Sequence, residues 1–313
     1  EIMHNRRSLF APSLLGLALF LSAQELCFGF LPSSLLLRPA TFAPGVHRLR
    51  SVPVQAVNRR VTMVSSAAAD KQAQDFAHIQ EKESAVPRIA GPLKNRYFAL
   101  RHGQSEANIA DIISSDETRG STIHGLTAEG RRQARASAAD LLQVIDAENL
   151  QNLVVYSSNF TRARETAEEA CAGLKELVPN ILDENLAVSV ELGLRERWFG
   201  ELDNTIITNY NKVWPADFKD AGCTAYGVES VESVCERVRE VITALESRHQ
   251  DKDIVLVSHA DTLQILQLYL SGADVRQFSA FRFKNGEVRA LLLDDLSAMP
   301  PASPLEYKRE DDH

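Results

Sequence analysis

From residue 94 onward, short apolar runs alternate with stretches whose apolar positions recur every three or four residues. Tyr97 to Leu100, Leu153 to Tyr156 and Ile254 to Val257 are continuous apolar runs, the pattern of strands buried on both faces. Between them lie helical patterns. Thr127 is a candidate N-cap, with Glu129 in the first turn, for a helix carrying Ala134, Ala138, Leu141 and Ile145 on one stripe. Arg162 to Leu174 predicts a second helix, and Ser230 to Leu245 a third with Val231, Val234, Val238, Val241 and Leu245 aligned. Thr262 to Leu270 reads as a fourth. Ala280 to Phe283 and Val288 to Leu293 predict an antiparallel pair across the Asn285-Gly286 turn. Alternating β and α elements imply an α/β fold, an open and mostly parallel sheet flanked by helices on both faces, in a single domain over 94–296. No internal repeat is visible.

The front of the chain has a different texture. After Arg6 and Arg7 comes the apolar run Leu9 to Leu21, broken by Pro12 and Ser13 and shorter than the roughly 18 to 20 apolar residues of a spanning helix. It is read as the core of a signal peptide over 1–29, with Met3 as initiator, rather than as an N-terminal anchor. Leu31 to Ala69 contains no acid and is rich in Ser, Ala, Pro and Arg, the composition of a transit peptide over 30–69. The junction Cys27-Phe28-Gly29-Phe30 resembles the bipartite presequence of plastids bounded by extra membranes, so a plastid is the expected location and the secretory pathway the alternative. Residues 70–93 are expected as a polar linker and 297–313 as a disordered tail.

Charge sharpens this division. Across 313 residues, 34 Lys and Arg face 42 Asp and Glu for a net charge of −8. Residues 1–69 hold seven Arg and two acids, leaving 27 basic against 40 acidic residues for the rest. A body that acidic lacks the clustered cations of a nonspecific nucleic-acid binder, so any anionic substrate must be met by a few local ones. Cys171, Cys223 and Cys235 have no CxxC spacing and are expected as thiols in a reducing compartment, with neither a disulfide framework nor a structural zinc site.

Ligands of open α/β sheets bind beyond the carboxyl ends of the strands. The first strand ends in Arg101-His102-Gly103 and the strand over 254–257 in Ser258-His259-Ala260, which brings two histidines to one rim. The strand over 153–156 delivers Ser157, Ser158 and then Arg162 to the same rim. Two His and two Arg at one sheet mouth make an anion site by charge alone.

Arg101-His102-Gly103-Gln104-Ser105-Glu106-Ala107-Asn108 resembles the RHG signature of the histidine phosphatase superfamily, which includes the phosphoglycerate mutases. Three further features follow in that family's order: Ser158 to Ala163 with Thr166, Leu194 to Gly200, and Ser258-His259-Ala260-Asp261. The resemblance covers about 96–293. It implies a phosphoglycerate mutase-like fold, His102 as nucleophile, Arg101, Arg162 and His259 as holders of the phosphoryl group, Asn108 as an accessory partner, and Glu196 as proton donor. Two guanidiniums and an imidazolium would then stand in for Mg²⁺, so neither a metal nor another cofactor is expected. Arg164 is the rival of Arg162, and Glu191 and Glu201 are the rivals of Glu196. Ala260 stands where the family more often has Gly. His78, His124 and His249 are read as solvated, yet His124 and Arg119 lie in the long 109–125 loop and are also the candidates for reading the non-phosphate part of a substrate.

The same site hydrolyses or isomerises phosphate esters. The family's mutases carry an adjacent Arg pair after the acid residue, whereas here Lys212, Lys219, Arg237, Arg239, Arg248 and Lys252 are scattered, and Phe199 replaces the mutase's Tyr. The expectation is therefore a phosphatase acting on a small phosphate ester, with no nucleic-acid partner and no stable membrane anchor. A cofactor-dependent phosphoglycerate mutase is the alternative, and a catalytically idle binding module the second. Oligomeric state is left open.

Overall fold

The computed structural model describes residues 84–308 apart from 183–185 and 294. The expected signal peptide, the transit segment, His78 and residues 70–83 of the expected linker lie outside them. The elements follow the sequence pattern closely: β1 (Arg96–Arg101), short helices α1 (Glu106–Ile109) and α2 (Glu117–Gly120), α3 (Ala128–Val144), β2 (Leu153–Ser157), α4 (Thr161–Leu177) and β3 (Val188–Val190). Then come α5 (Trp214–Asp217), α6 (Val231–Arg248), β4 (Asp253–Ser258), α7 (Ala260–Leu270) and β5 (Val288–Ala290). Helix α3 starts where its cap chemistry dictates. The Thr127 hydroxyl accepts the Gly130 N–H at 3.0 Å, as the Ser230 hydroxyl accepts that of Ser233 at 3.1 Å at the head of α6, each cap contributing about 1 kcal/mol.

The described residues build a five-stranded sheet in the order β3-β2-β4-β1-β5, parallel except for β5. Side chains alternate between its faces as strand geometry requires. Tyr97, Ala99, Ile254 and Leu256 pack on one side with Val234, Val238, Leu245 and Leu266 of α6 and α7. Phe98, Leu100, Val255 and Val257 pack on the other with Ala138, Leu141, Ala167 and Leu174 of α3 and α4. This is a single α/β domain with helices on both faces. Among the described residues no helix is long and apolar enough to cross a membrane.

Three expectations are corrected. Ala280 to Phe283 is not a strand: Val275–Ala280 is a 3-10 turn and Phe283 is buried in the core, while β5 adds antiparallel to the open edge of β1, with Phe98 opposite Ala290 and Leu100 opposite Val288. That edge offers a ready ladder of donors and acceptors, and the N–H of Gly286, at φ +73°, is spent on the carbonyls of Arg101 and His102 instead of on a hairpin. Residues 297–308 of the stretch expected as a disordered tail fold back, and Tyr307 is only 5% exposed; 309–313 lie outside the described residues. At the other end, residues of the expected linker join the domain: Arg88 donates to the carbonyls of Tyr269 and Ala273, and the Tyr269 hydroxyl donates to the carbonyl of Pro87 at 2.5 Å.

Candidate active site

Register alone brings the two histidines together. Arg101 pairs with Ser258 in the parallel β1/β4 ladder, so the next residue of each strand, His102 and His259, leaves the sheet at the same level. The His102 N–H donates to the Ser258 carbonyl at 3.0 Å, and the imidazole centroids are 5.2 Å apart. Strand β2 ends one step away, where the Ser158 N–H donates to the Val257 carbonyl at 2.9 Å. The chain after His102 can turn so tightly only because two glycines face each other. A Cβ on Gly103 would lie 2.3 Å from the Gly130 carbonyl oxygen, and one on Gly130 would lie 1.9 Å from that of Gln104.

The tautomer of His102 follows from its neighbours. Arg162 Nε, which can only donate, is 3.1 Å from Nε2, while Nδ1 is 2.8 Å from the Gly103 carbonyl oxygen. The proton therefore belongs on Nδ1, and Nε2 keeps its lone pair. Burial first, and then the charges of Arg162 and Arg101, hold His102 well below its ordinary pKa of 6.5. Arg162 is itself buried at 3% exposure and lies over the Phe160 ring; its Nη2 donates to the Ser114 carbonyl at 2.9 Å, and burial brings its pKa down to about 10. Arg101 donates through Nη1 to the Phe283 carbonyl at 2.6 Å.

His259 caps α7 and is fully buried, with its ring edge-on to Phe160 at 4.9 Å. Its Nε2 is 2.9 Å from the Ser158 hydroxyl, which accepts the Phe160 N–H at 3.2 Å and keeps its own hydrogen to donate to the ring. With Nε2 accepting, the imidazole proton lies on Nδ1, a buried atom with no hydrogen-bond partner among the described residues and 4.0 Å from Glu196 Oε2. Burial and the nearby Arg162 keep this ring neutral too. The imidazolium expected from the sequence is thus replaced by a neutral N–H donor.

Glu196 is 7% exposed, and burial raises its pKa above the ordinary 4.5 against the opposing pull of Arg162, the Arg197 N–H and Arg101. Its Oε1 accepts that N–H at 2.8 Å. Neither rival acid competes. Glu191 caps the short turn Leu192–Leu194, and Glu201 is exposed. Arg164, the rival of Arg162, donates to the Ser121 carbonyl. Glu196 is held by a neighbour that sequence reasoning passed over. Arg197, fully buried, forks onto Asp217 with two contacts of 2.7 Å, reaches Asp261 at 3.5 Å and donates through Nε to the Glu229 carbonyl at 2.6 Å. Burial opposes its charge, but the carboxylates of Asp217 and Asp261 more than offset this and raise its pKa.

The remaining sequence candidates divide. Asn108 and Ala260 line the cleft, Asn108 with its Oδ1 taking the Ser105 N–H and hydroxyl at 2.9 Å each. Arg119 does not: it is bound to the buried carboxylate of Asp203, which also accepts from the N–H of Ser115 at 2.7 Å and of Asp116 at 3.1 Å. Asp203 is a clamp on the loop whose Ser114 carbonyl positions Arg162. His124 is half-buried, with Nδ1 2.9 Å from the Ser114 hydroxyl, and is not part of the cleft wall. His249 is likewise half-buried, 2.9 Å from the Tyr156 hydroxyl, and not simply solvated.

His102, Arg101, Arg162 and Glu196 open onto one cleft. One wall is aromatic and was not legible in the sequence: Tyr210 and Trp214 from one segment and Tyr307 from another, with Asp261, Gln264 and Arg282 beside them. Cations grip tetrahedral oxyanions by charge-assisted hydrogen bonds, and a desolvated acid and an unprotonated nitrogen beside them equip the cleft for group transfer.

The chain is similar to several known proteins. The chain is 26% identical over 205 residues to phosphoserine phosphatase 1 of Hydrogenobacter thermophilus, covering 64% of this chain and 87% of that one. A mycobacterial glucosyl-3-phosphoglycerate phosphatase complexed with VO3 is 25% identical with a TM-score of 0.48, over 62% of this chain and 88% of that one. A mutant phosphoserine phosphatase from Entamoeba histolytica, in complex with phosphoserine, is 21% identical with a TM-score of 0.47, over 62% and 88%. The sequence pattern of the histidine phosphatase superfamily (branch 1) matches residues 97–297, and the chain belongs to that superfamily.

Proposed function

We propose that the protein is a phosphomonoester hydrolase that works through a phosphohistidine on His102 without a metal ion. The observation that carries this reading is the pair of contacts that leaves His102 Nε2 unprotonated inside a cationic pocket. A phosphate ester displaces the Arg162 Nε–H from Nε2 onto its own oxygens, where Arg101, Arg162 and His259 Nδ1–H share the charge of the transferring group. Nε2 attacks phosphorus as the P–O bond to the leaving group breaks, and protonated Glu196 gives its proton to the departing alkoxide. The Glu196 carboxylate then takes a proton from water, which attacks phosphorus, breaks the P–N bond and releases inorganic phosphate.

Hydrolysis is favoured over phosphoglycerate isomerisation because none of the scattered basic residues Lys212, Lys219, Arg237, Arg239, Arg248 and Lys252 is among the described residues of the cleft wall, and Arg282, which is, donates to the Pro304 and Glu306 carbonyls and lies over Trp214. Phosphate release from a panel of phosphate esters, with and without EDTA, tests the assignment. Turnover should survive the chelator and fall by several orders of magnitude in His102→Ala. Rapid conversion of 3-phosphoglycerate to 2-phosphoglycerate with no phosphate release would make the protein a mutase, and inactivity on every ester would favour the binding module.

The acid-free segment after the short apolar run supports a plastid location. A fluorescent protein fused after Ala69 should reach the plastid, and Phe30→Ala should stall it in the endomembrane system. Cytosolic fluorescence from the intact leader would overturn the targeting reading.

A further inference from the structure

The cleft is closed on one side by a segment that lies beyond residues 97–297, the part of the chain that matches the superfamily. Residues 301–307 run back across the domain and are fastened at several points. The Ser303 N–H donates to the Ala280 carbonyl at 2.6 Å, and Arg282 Nη2 donates to the carbonyls of Pro304 and Glu306 at 2.7 and 2.8 Å. Asn211 takes the Tyr307 N–H on its Oδ1 at 2.6 Å and donates to the Tyr307 carbonyl at 3.4 Å. These bonds set the Tyr307 ring edge-on to Tyr210 at 5.5 Å and to Trp214 at 5.9 Å, while Tyr210 and Trp214 stack at 5.0 Å with planes 5° apart. The Arg282 guanidinium lies over Trp214 at 5.0 Å. Aromatic rings fixed in this way offer a rigid apolar surface at little entropic cost. Next to that surface stand Asp261, whose Oδ2 is 3.5 Å from Trp214 Nε1, and Gln264, whose Nε2 donates to the Phe278 carbonyl at 3.1 Å.

We propose that Tyr307 is a specificity-determining residue, delivered to the cleft by the C-terminal segment, and that the wall it completes selects phosphate esters of a sugar or polyol. Such a leaving group has an apolar C–H face for Tyr210, Trp214 and Tyr307 and hydroxyls that donate to Asp261 or accept from Gln264. A leaving group bearing its own carboxylate gains no ready cation among the described residues of this wall, because Arg197 is taken by Asp217 and Asp261 and Arg282 is engaged with the Pro304 and Glu306 carbonyls, so it is disfavoured. The substrate class rests on the phosphatase reading; the role of Tyr307 in binding does not.

The experiment uses the full chain and its Tyr307→Ala and Tyr307→Phe variants, with glucose 6-phosphate and phosphoserine as substrates and inorganic phosphate as the control ligand. The wild type should prefer glucose 6-phosphate. Tyr307→Ala should lose about tenfold or more in kcat/KM on it, chiefly through KM, with a smaller loss on phosphoserine, and Tyr307→Phe should stay within about threefold because the ring makes the wall. The dissociation constant for inorganic phosphate, measured by calorimetry, should be unchanged in both variants. A wild-type preference for phosphoserine, equal losses on the two esters, or weakened phosphate binding in Tyr307→Ala would overturn the proposal. If no ester is hydrolysed, the phosphatase reading fails, and the wall is judged by calorimetry alone: Tyr307→Ala must weaken glucose 6-phosphate and spare inorganic phosphate, or this proposal fails as well.

Discussion

The Arg162 Nε–H is aimed at Nε2 of His102 across 3.1 Å, so the residue that lowers the basicity of the imidazole also shields its lone pair. Replacing Arg162 with Gln removes the charge that, after burial, does most to depress the His102 pKa. The pKa should then rise toward its ordinary 6.5, and the acid limb of kcat/KM should move to higher pH. Loss of a transition-state donor should also cost about 10² to 10³ in kcat. Histidine titration by NMR alongside the pH–rate profile checks both effects, and an unmoved acid limb would remove Arg162 from the control of His102.

Glu196→Gln keeps the size of the side chain but can neither donate to an alkoxide nor activate water. Turnover of a sugar phosphate should drop by roughly 10² to 10⁴. With an aryl phosphate, whose leaving group needs little protonation, phosphorylation should continue while hydrolysis of the intermediate slows. An acid-labile, base-stable phosphate should then accumulate on His102, detectable by mass spectrometry after rapid quench. Normal turnover of the sugar phosphate in this variant would return the role of acid to Glu191 or Glu201.

The opposite displacements of the two groups set the pH dependence. His102 stays neutral until the pH falls well below 6.5, which places the acid limb under that value. Glu196, raised above 4.5, remains protonated into a higher range and loses its proton as pH rises through its shifted pKa. Alkyl phosphates should therefore show an alkaline limb that is weaker for the phosphorylation step with an aryl phosphate and missing from Glu196→Gln. Profiles that coincide for the two kinds of ester would show that leaving-group protonation does not limit the rate.

The buried fork between Arg197 and Asp217 should matter for folding as well as for the site. Asp217→Asn leaves Arg197 buried with one charge partner fewer, and breaking such a pair costs about 3 to 5 kcal/mol. Urea unfolding should report a loss of that order, and the preorganisation of Glu196 should weaken with it. A change below about 1 kcal/mol would mean that Asp261 and the Glu229 carbonyl suffice to hold Arg197.

What the sequence alone determined is local or follows from a general rule of the fold. Buried strands show as continuous apolar runs, α3 announces itself by Thr127 at its cap and both α3 and α6 by their apolar stripes, and parallel strands carry the residues after their last positions to one rim. That is why His102, His259 and Arg162 fall together from strand order and motif alone. Only the tertiary structure decided matters that depend on which distant groups meet. Arg197 sits among charged residues and reads as surface until Asp217 and Asp261 close on it inside the core. Arg119 reads as a free cation in a long loop, but Asp203, 84 residues away in sequence, claims it. Ala280 to Phe283 has the composition of a strand, yet the open edge of β1 recruits β5. Tyr307 lies in a proline-rich, charged stretch with no periodicity, and its burial follows from Asn211, 96 residues earlier, and from the ring stack of Tyr210 and Trp214. Periodicity encodes which face of an element is apolar; it carries no information about which remote partner compensates a buried charge or covers an exposed ring, because those energies exist only once the chain has brought the groups together.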